Sequence, residues 1–197
     1  YADNEDLTAF LLRMVWMGQL VDLLPEAMKV ALTPTSDQYT RIAAFRAIKA
    51  VGSNEDQELV RQSFLTESSE LKRMWLAELI EGIPPTQQTL AWLLVCLEKS
   101  EPKEPYNVDY ITESITGFVG TAEIELLPQL VAGLNRLLSL PPLIKSRYCE
   151  VSKKFLWLMT PACKAVERLI LARDPAVLKP DVLEILNKLS AMRGYAS

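Results

Sequence analysis

Residues 38–65 return, 32 positions later, as residues 70–97. Under that shift Arg41 falls on Arg73, Ile42 on Met74, Ile48 on Ile80, Asn54 on Thr86 and Leu65 on Leu97, and one turn residue, Gly52, falls on another, Pro84. Each copy reads as helix, tight turn, helix. Self-similarity at this period marks stacked helical hairpins, since one hairpin cannot cover its own apolar face. The repeat constrains architecture strongly and leaves the biochemical role open.

A second echo lies outside the first. Val21-Asp22-Leu23-Leu24-Pro25-Glu26 resembles Ile124-Glu125-Leu126-Leu127-Pro128-Gln129. Both stretches open the second helix of a hairpin, with proline at an early position that needs no donor. Apolar spacing predicts helices over about 5–17, 20–32, 37–51, 54–65, 68–81, 86–98, 108–119, 122–139, 147–158, 161–172 and 176–192. Asn4, Asn54 and Thr86 are read as N-caps, with Gln57 completing a capping box. Gly52 is read as a C′ glycine. Thr160-Pro161 and Asp174-Pro175 are each read as a cap followed by proline at the first helical position. No stretch alternates as a strand should. The polar, proline-containing stretch 100–107 is the one candidate joint in an otherwise single helical domain over 1–197.

At 49% hydrophobic residues the chain can bury a full core. It contains no histidine, which removes His-based triads, His metal sites and imidazole bases. The cysteines Cys96, Cys149 and Cys163 are odd in number and lack C-x-x-C spacing, so neither a zinc site nor a disulfide framework is expected. No metal, cofactor or catalytic residue is assigned. Glycine-rich phosphate loops and nucleophile elbows are absent from the sequence. No run of 18 apolar residues occurs, so no spanning helix is expected. Thiol usage points to a reducing, cytoplasmic location. The chain opens on Tyr1 rather than Met, from which a segment of a larger multidomain protein is expected.

Tyr39-Thr40-Arg41-Ile42-Ala43-Ala44-Phe45-Arg46-Ala47-Ile48, followed by Gly52, resembles the helix of a HEAT repeat. Leu71-Lys72-Arg73-Met74-Trp75-Leu76-Ala77 is a looser copy in which Trp75 departs from the alanine pattern. The resemblance covers residues 36–98. It implies an all-α, right-handed stack of antiparallel helical hairpins, with about 10–11 helices in five hairpins. It also implies an inter-repeat structural role for Arg41 and Arg73. HEAT-like arrays mostly serve as interaction scaffolds, so the resemblance implies a non-catalytic binder of another protein or of other domains of its parent chain. HEAT-like hydroxylases use His-Glu metal ligands, which this chain cannot supply.

Charge raises an alternative. The net charge is −4, but residues 1–104 carry net −6 and the remainder net +2. Lys145, Arg147, Lys153, Lys154, Lys164, Arg168 and Arg173 stand against Glu150 and Glu167, with Tyr148, Phe155 and Trp157 interleaved. Basic groups among aromatics can hold phosphates and stack bases, so Arg147, Lys153, Lys154, Lys164 and Arg168 are a candidate surface for an anionic partner. The HEAT-like DNA glycosylases, and nucleic-acid-binding modules generally, are the alternative that this surface raises. A sensor or regulatory segment of a large NTPase is a further one. The plainer reading is a solvated face with its aromatics turned inward. Trp16, Trp75, Trp92 and Trp157 are expected in the core.

Overall fold

The structure is a computed structural model and describes residues 4–66, 70–104, 110–145 and 149–192, the side chains of 190–192 excepted. The described residues form ten α-helices: α1 (Glu5–Gly18), α2 (Leu24–Ala31), α3 (Gln38–Val51), α4 (Asn54–Leu65), α5 (Arg73–Ile80), α6 (Gln87–Lys99), α7 (Ile111–Thr121), α8 (Leu127–Leu138), α9 (Met159–Leu171) and α10 (Pro180–Met192). A single two-stranded ribbon, β1 (Leu143–Lys145) with β2 (Glu150–Ser152), interrupts them. Apart from that ribbon the described residues are all-α. Its contacts cluster into two compact units, residues 1–79 and 80–197. Residues 105–107 of the expected joint at 100–107 lie outside the described residues.

The first unit is built around α3. Thr40 to Phe45, Ala47 and Ile48 are all buried. The small side chains of Ala43, Ala44 and Ala47 let helix backbones approach closely, and both α1 and α2 pack against α3. Asp37 starts the helix by accepting from the backbone N–H groups of Tyr39 and Thr40, which relieves two donors that lack intrahelical partners. Across α3, Trp75 of α5 meets Phe45 at 5.6 Å and Phe64 of α4 at 6.2 Å between ring centroids, both edge to face.

Gly52 ends α3 in extended geometry, φ −94° and ψ 173°, and so is not a left-handed C′ glycine. It is glycine for space: a Cβ there would sit 2.8 Å from the Ile48 carbonyl oxygen and 3.1 Å from Leu24 Cδ1. The next helix is capped one residue earlier than expected. Ser53, not Asn54, accepts from the Asp56 N–H, and Asp56, not Gln57, returns the bond to Ser53 N at 2.7 Å. Asn4 and Thr86 cap α1 and α6 as their sequence contexts predict.

In the second unit α7 packs on α9, α6 on α8 and α8 on α10, while α9 also touches α8 and α10. Leu130, Leu134, Leu137, Leu158, Leu169 and Ile185 are fully buried in its core. The two echoing hexapeptides adopt one design. Val21–Leu23 and Ile124–Leu126 are 3-10 turns that feed α2 and α8, each with proline in the first turn. Leu156–Leu158 and Pro175–Leu178 likewise precede α9 and α10.

Three local expectations change near the end. The helix expected over 147–158 is replaced by β2 and the 3-10 turn. Lys153 N donates to Pro142 O at 2.8 Å, which ties the ribbon's base just beyond the Pro141-Pro142 break. Residues 146–148, between the strands, lie outside the described residues. α9 starts at Met159 behind Leu158, so Thr160-Pro161 lies inside its first turn. Asp174 caps the 3-10 turn Pro175–Leu178 rather than an α-helix.

Candidate interaction surface

Among the described residues, no group of three or more His, Cys, Asp or Glu side chains is placed to hold a metal ion. No helix among them is long and apolar enough to cross a membrane. Cys96, Cys149 and Cys163 form no disulfide among the described residues, and burial raises the Cys163 pKa above its ordinary value.

The basic cluster of 145–173 is spread over several jobs. Lys145 pairs with Glu150 across the ribbon at 3.4 Å. Lys153 is exposed. Lys154 reaches back to the Glu98 carbonyl at 3.5 Å and lies over the Phe155 ring. Lys164 pairs with Glu167 one turn along α9 at 2.8 Å. Arg168 points inward and donates to the carbonyls of Val119 and Ala122, 2.5 and 2.6 Å away. Those carbonyls end α7 and lack intrahelical partners, so the guanidinium serves as a C-cap supplied by another helix. Arg147 and Tyr148 lie outside the described residues. Phe155 is buried, as the inward-turned reading expects.

The same use of arginine recurs in the first unit. Arg41 is 5% exposed, donates through Nε to the carbonyl of Ala31, the last residue of α2, and lies 5.1 Å from the Trp75 ring centroid. Arg61, which the sequence did not single out, donates to the Leu79 carbonyl at 3.2 Å and lies over Phe45. Burial lowers the Arg61 pKa. Arg73 opens α5 with its side chain buried. Arg46 and Lys49 meet Glu78 at 2.8 and 2.7 Å. Burial pushes the Glu78 carboxyl up, and the hydrogen bonds from Arg46 and Lys49 together outweigh it and hold the carboxyl below the ordinary range.

A second polar cluster joins α8 to α10. Lys188 is 2% exposed, and its Nζ donates to Asn135 Oδ1 at 2.6 Å, Ser139 Oγ at 2.8 Å and Glu184 Oε1 at 2.6 Å. Three donors meet three acceptors, so the buried ammonium is fully satisfied. This is a structural lock. Its sequence signature, Glu184 four residues before Lys188, looks like an ordinary surface pair.

What remains exposed and unexplained is apolar. Leu12 and Val15 seat α1 on α3, yet Phe10, Leu11, Met14 and Met17 on α1 stand open, joined by Leu20, Val21 and Leu23 of the following turn. Phe10, Met14 and Met17 recur on α1 at spacings of four and three, which on a helix forms one row. Wheel geometry puts that row opposite Leu12. The signal was legible: α1 carries too many apolar residues for one buried stripe. Trp16 is also exposed and stacks under Arg46 at 6.0 Å, so it is not the core residue its type suggested. Trp75 and Trp92 are buried. A shallower cleft of about 250 Å³ lies between α9 and α10, lined by Cys163, Val166, Ile170, Ile185 and Leu189.

No family model matches the chain, and no curated protein or solved structure matches it either.

Proposed function

We propose that this chain is a non-catalytic interaction scaffold of HEAT-like stacked hairpins, binding another protein or other domains of a parent chain. Alternation within each unit supports the stacking. Besides the neighbour contacts of α2 with α3, α3 with α4, α8 with α9 and α9 with α10, helices two places apart pack together: α1 on α3, α7 on α9, α2 on α4, α6 on α8 and α8 on α10. That is how consecutive hairpins layer in a helical array. Arg41 and Arg168 accord with it, since each ties a helix end to a helix two places away or one place away in the chain. A cytoplasmic location accords with three cysteines held outside any disulfide among the described residues.

One observation carries the reading: the open apolar row of α1. Large contiguous apolar surface on a folded chain marks a place where something docks. A photo-reactive amino acid placed at Met17 should give discrete protein adducts in cell extract, and the same group at the exposed Glu123 should not. Equal adduct patterns at both positions, or substrate turnover by the purified chain, would count against a scaffold.

A further inference from the structure

We infer that the α1 row is the seat of an amphipathic helix with basic flanks, contributed by a protein partner. This rests on the scaffold reading and names the chemistry of its partner. The area is sufficient. Phe10, Leu11, Met14, Met17, Leu20, Val21 and Leu23 are between 42% and 74% exposed. At roughly 100 Å² apiece they present on the order of 700 Å², near the ~800 Å² that each side of a stable interface buries. It exceeds the ~300–600 Å² patch that a typical monomer leaves open.

The shape is linear. Phe10, Met14 and Met17, at four-three spacing on α1, offer a ridge against which the apolar row of a second helix packs, one set of side chains between the other, with Leu20, Val21 and Leu23 of the next turn beyond its end. Met14 and Met17 adapt to the partner's contours, because an unbranched thioether refits where a branched side chain would clash.

Charge decides the flanks. Residues 4–31 carry the carboxylates Glu5, Asp6, Asp22 and Glu26 against Arg13 and Lys29. Asp6 lies one turn before Phe10 on its own face and the exposed Arg13 one turn before Met17, while Asp22 in the following turn and Glu26 in the first turn of α2 are both exposed and leave the carboxylates in excess. Glu5 accepts from the Asp37 N–H. An incoming helix with acidic flanks meets like charge; one with lysine or arginine beside its apolar row meets complementary charge and is steered into register. A second copy of α1 would bring the same acidic surplus and is disfavoured for that reason.

The test uses the whole chain and three designed 18-residue peptides. One carries leucines at four-three-four spacing with lysine flanks, one is its twin with glutamate flanks, and one is a scrambled sequence of the lysine composition. Titration by fluorescence anisotropy at low salt should show the lysine peptide binding at least about tenfold tighter than either other peptide, with the gap shrinking as salt rises. The triple variant Phe10→Ser/Met14→Gln/Met17→Gln, checked for unchanged helicity, should lose that binding. Asp22→Lys/Glu26→Lys, which keeps the apolar row, should reverse the preference toward the glutamate twin. Equal binding of the lysine and glutamate peptides, lost in the triple variant, would overturn the basic flanks and leave the scaffold reading standing. No peptide binding better than the scrambled one would overturn both. Self-association of the chain, or its retention on phosphatidylcholine or phosphatidylserine vesicles, abolished by the triple variant would assign the row to another occupant and overturn the inference.

Discussion

Lys188 and Asn135 are joined in the interior of the second unit: the ammonium donates to Asn135 Oδ1, while Asn135 Nδ2 donates to Asp181 and Glu184 at 3.0 and 2.9 Å. The asparagine thus links the lysine to two carboxylates, and the lysine's hydrocarbon stem fills space between α8 and α10. Removing the ammonium deprives the buried asparagine oxygen of its donor. Lys188→Met is expected to destabilise the unit by about 3 kcal/mol, at the low end for a broken buried pair because Glu184 can turn to water. Lys188→Met with Asn135→Leu should recover at least half, since both polar groups leave together. Urea denaturation of the two variants checks this.

Arginine as a borrowed C-cap has a sharp chemical requirement. Arg41 and Arg168 each reach carbonyls of a helix other than their own. Lysine has the charge but neither the Nε–H that reaches Ala31 nor the flat guanidinium that lies over Trp75, so Arg41→Lys should recover little of what Arg41→Met loses. Each methionine variant is expected to cost about 2 kcal/mol, from lost hydrogen bonds to a charged donor. Thermal melts read the loss. Hydrogen exchange should speed up in the last turn of α7 in Arg168→Met.

Two glycines on helices should respond in opposite directions. A Cβ on Gly133 of α8 would meet Leu94 Cδ1 of α6 at 2.4 Å. Gly117 of α7 has nothing within 4 Å of its would-be Cβ. Gly117→Ala should stabilise by about 0.5–1 kcal/mol through helix propensity alone. Gly133→Ala gains the same propensity but crowds Leu94, for a net loss of about 1 kcal/mol. Adding Leu94→Ala to Gly133→Ala should cost less than Leu94→Ala does in the native background. Additive losses in that double-mutant cycle would mean that α6 and α8 do not press together there.

Glu78 and Glu184 set the acid limit. Both carboxyls titrate below their ordinary values: Glu78 because Arg46 and Lys49 outweigh its burial, Glu184 because Lys188 and Asn135 hydrogen-bond to it. A carboxyl with a depressed folded pKa adds stability above its unfolded pKa and loses it as pH falls through the folded value. Stability should therefore be flat from pH 7 to about 5 and fall below about 4.3, the unfolded glutamate range. Glu78→Gln should cost about 2 kcal/mol at pH 7 and progressively less as the pH is lowered, converging on the parent chain in strong acid. Equilibrium unfolding across pH 2–7 checks the convergence.

The sequence displays its helices because their signals are local. Asn4 and Thr86 cap where they stand, Pro25 and Pro128 sit in first turns, and the echo between 21–26 and 124–129 becomes the same 3-10-to-α step twice. The ribbon is not legible, because three residues per strand are too few to alternate, and Val151 and Ser152 are both buried. The basic cluster misleads for a different reason. The partner of Arg168 is a pair of backbone carbonyls 46 and 49 residues away, and carbonyls leave no mark in sequence. Arg61 and Lys188 are hidden in the same way, since a buried cation reads like an exposed one until its neighbours are known.

The covering of α3 on nearly every side has a mechanical meaning. A rod wedged between α1 and α2 on one side and the Trp75 aromatic cluster on the other has a single seat, because interiors at crystal-like density leave no slack for sliding. α3 therefore has little room to shift, and a displacement of α1 or α2 is passed straight to it.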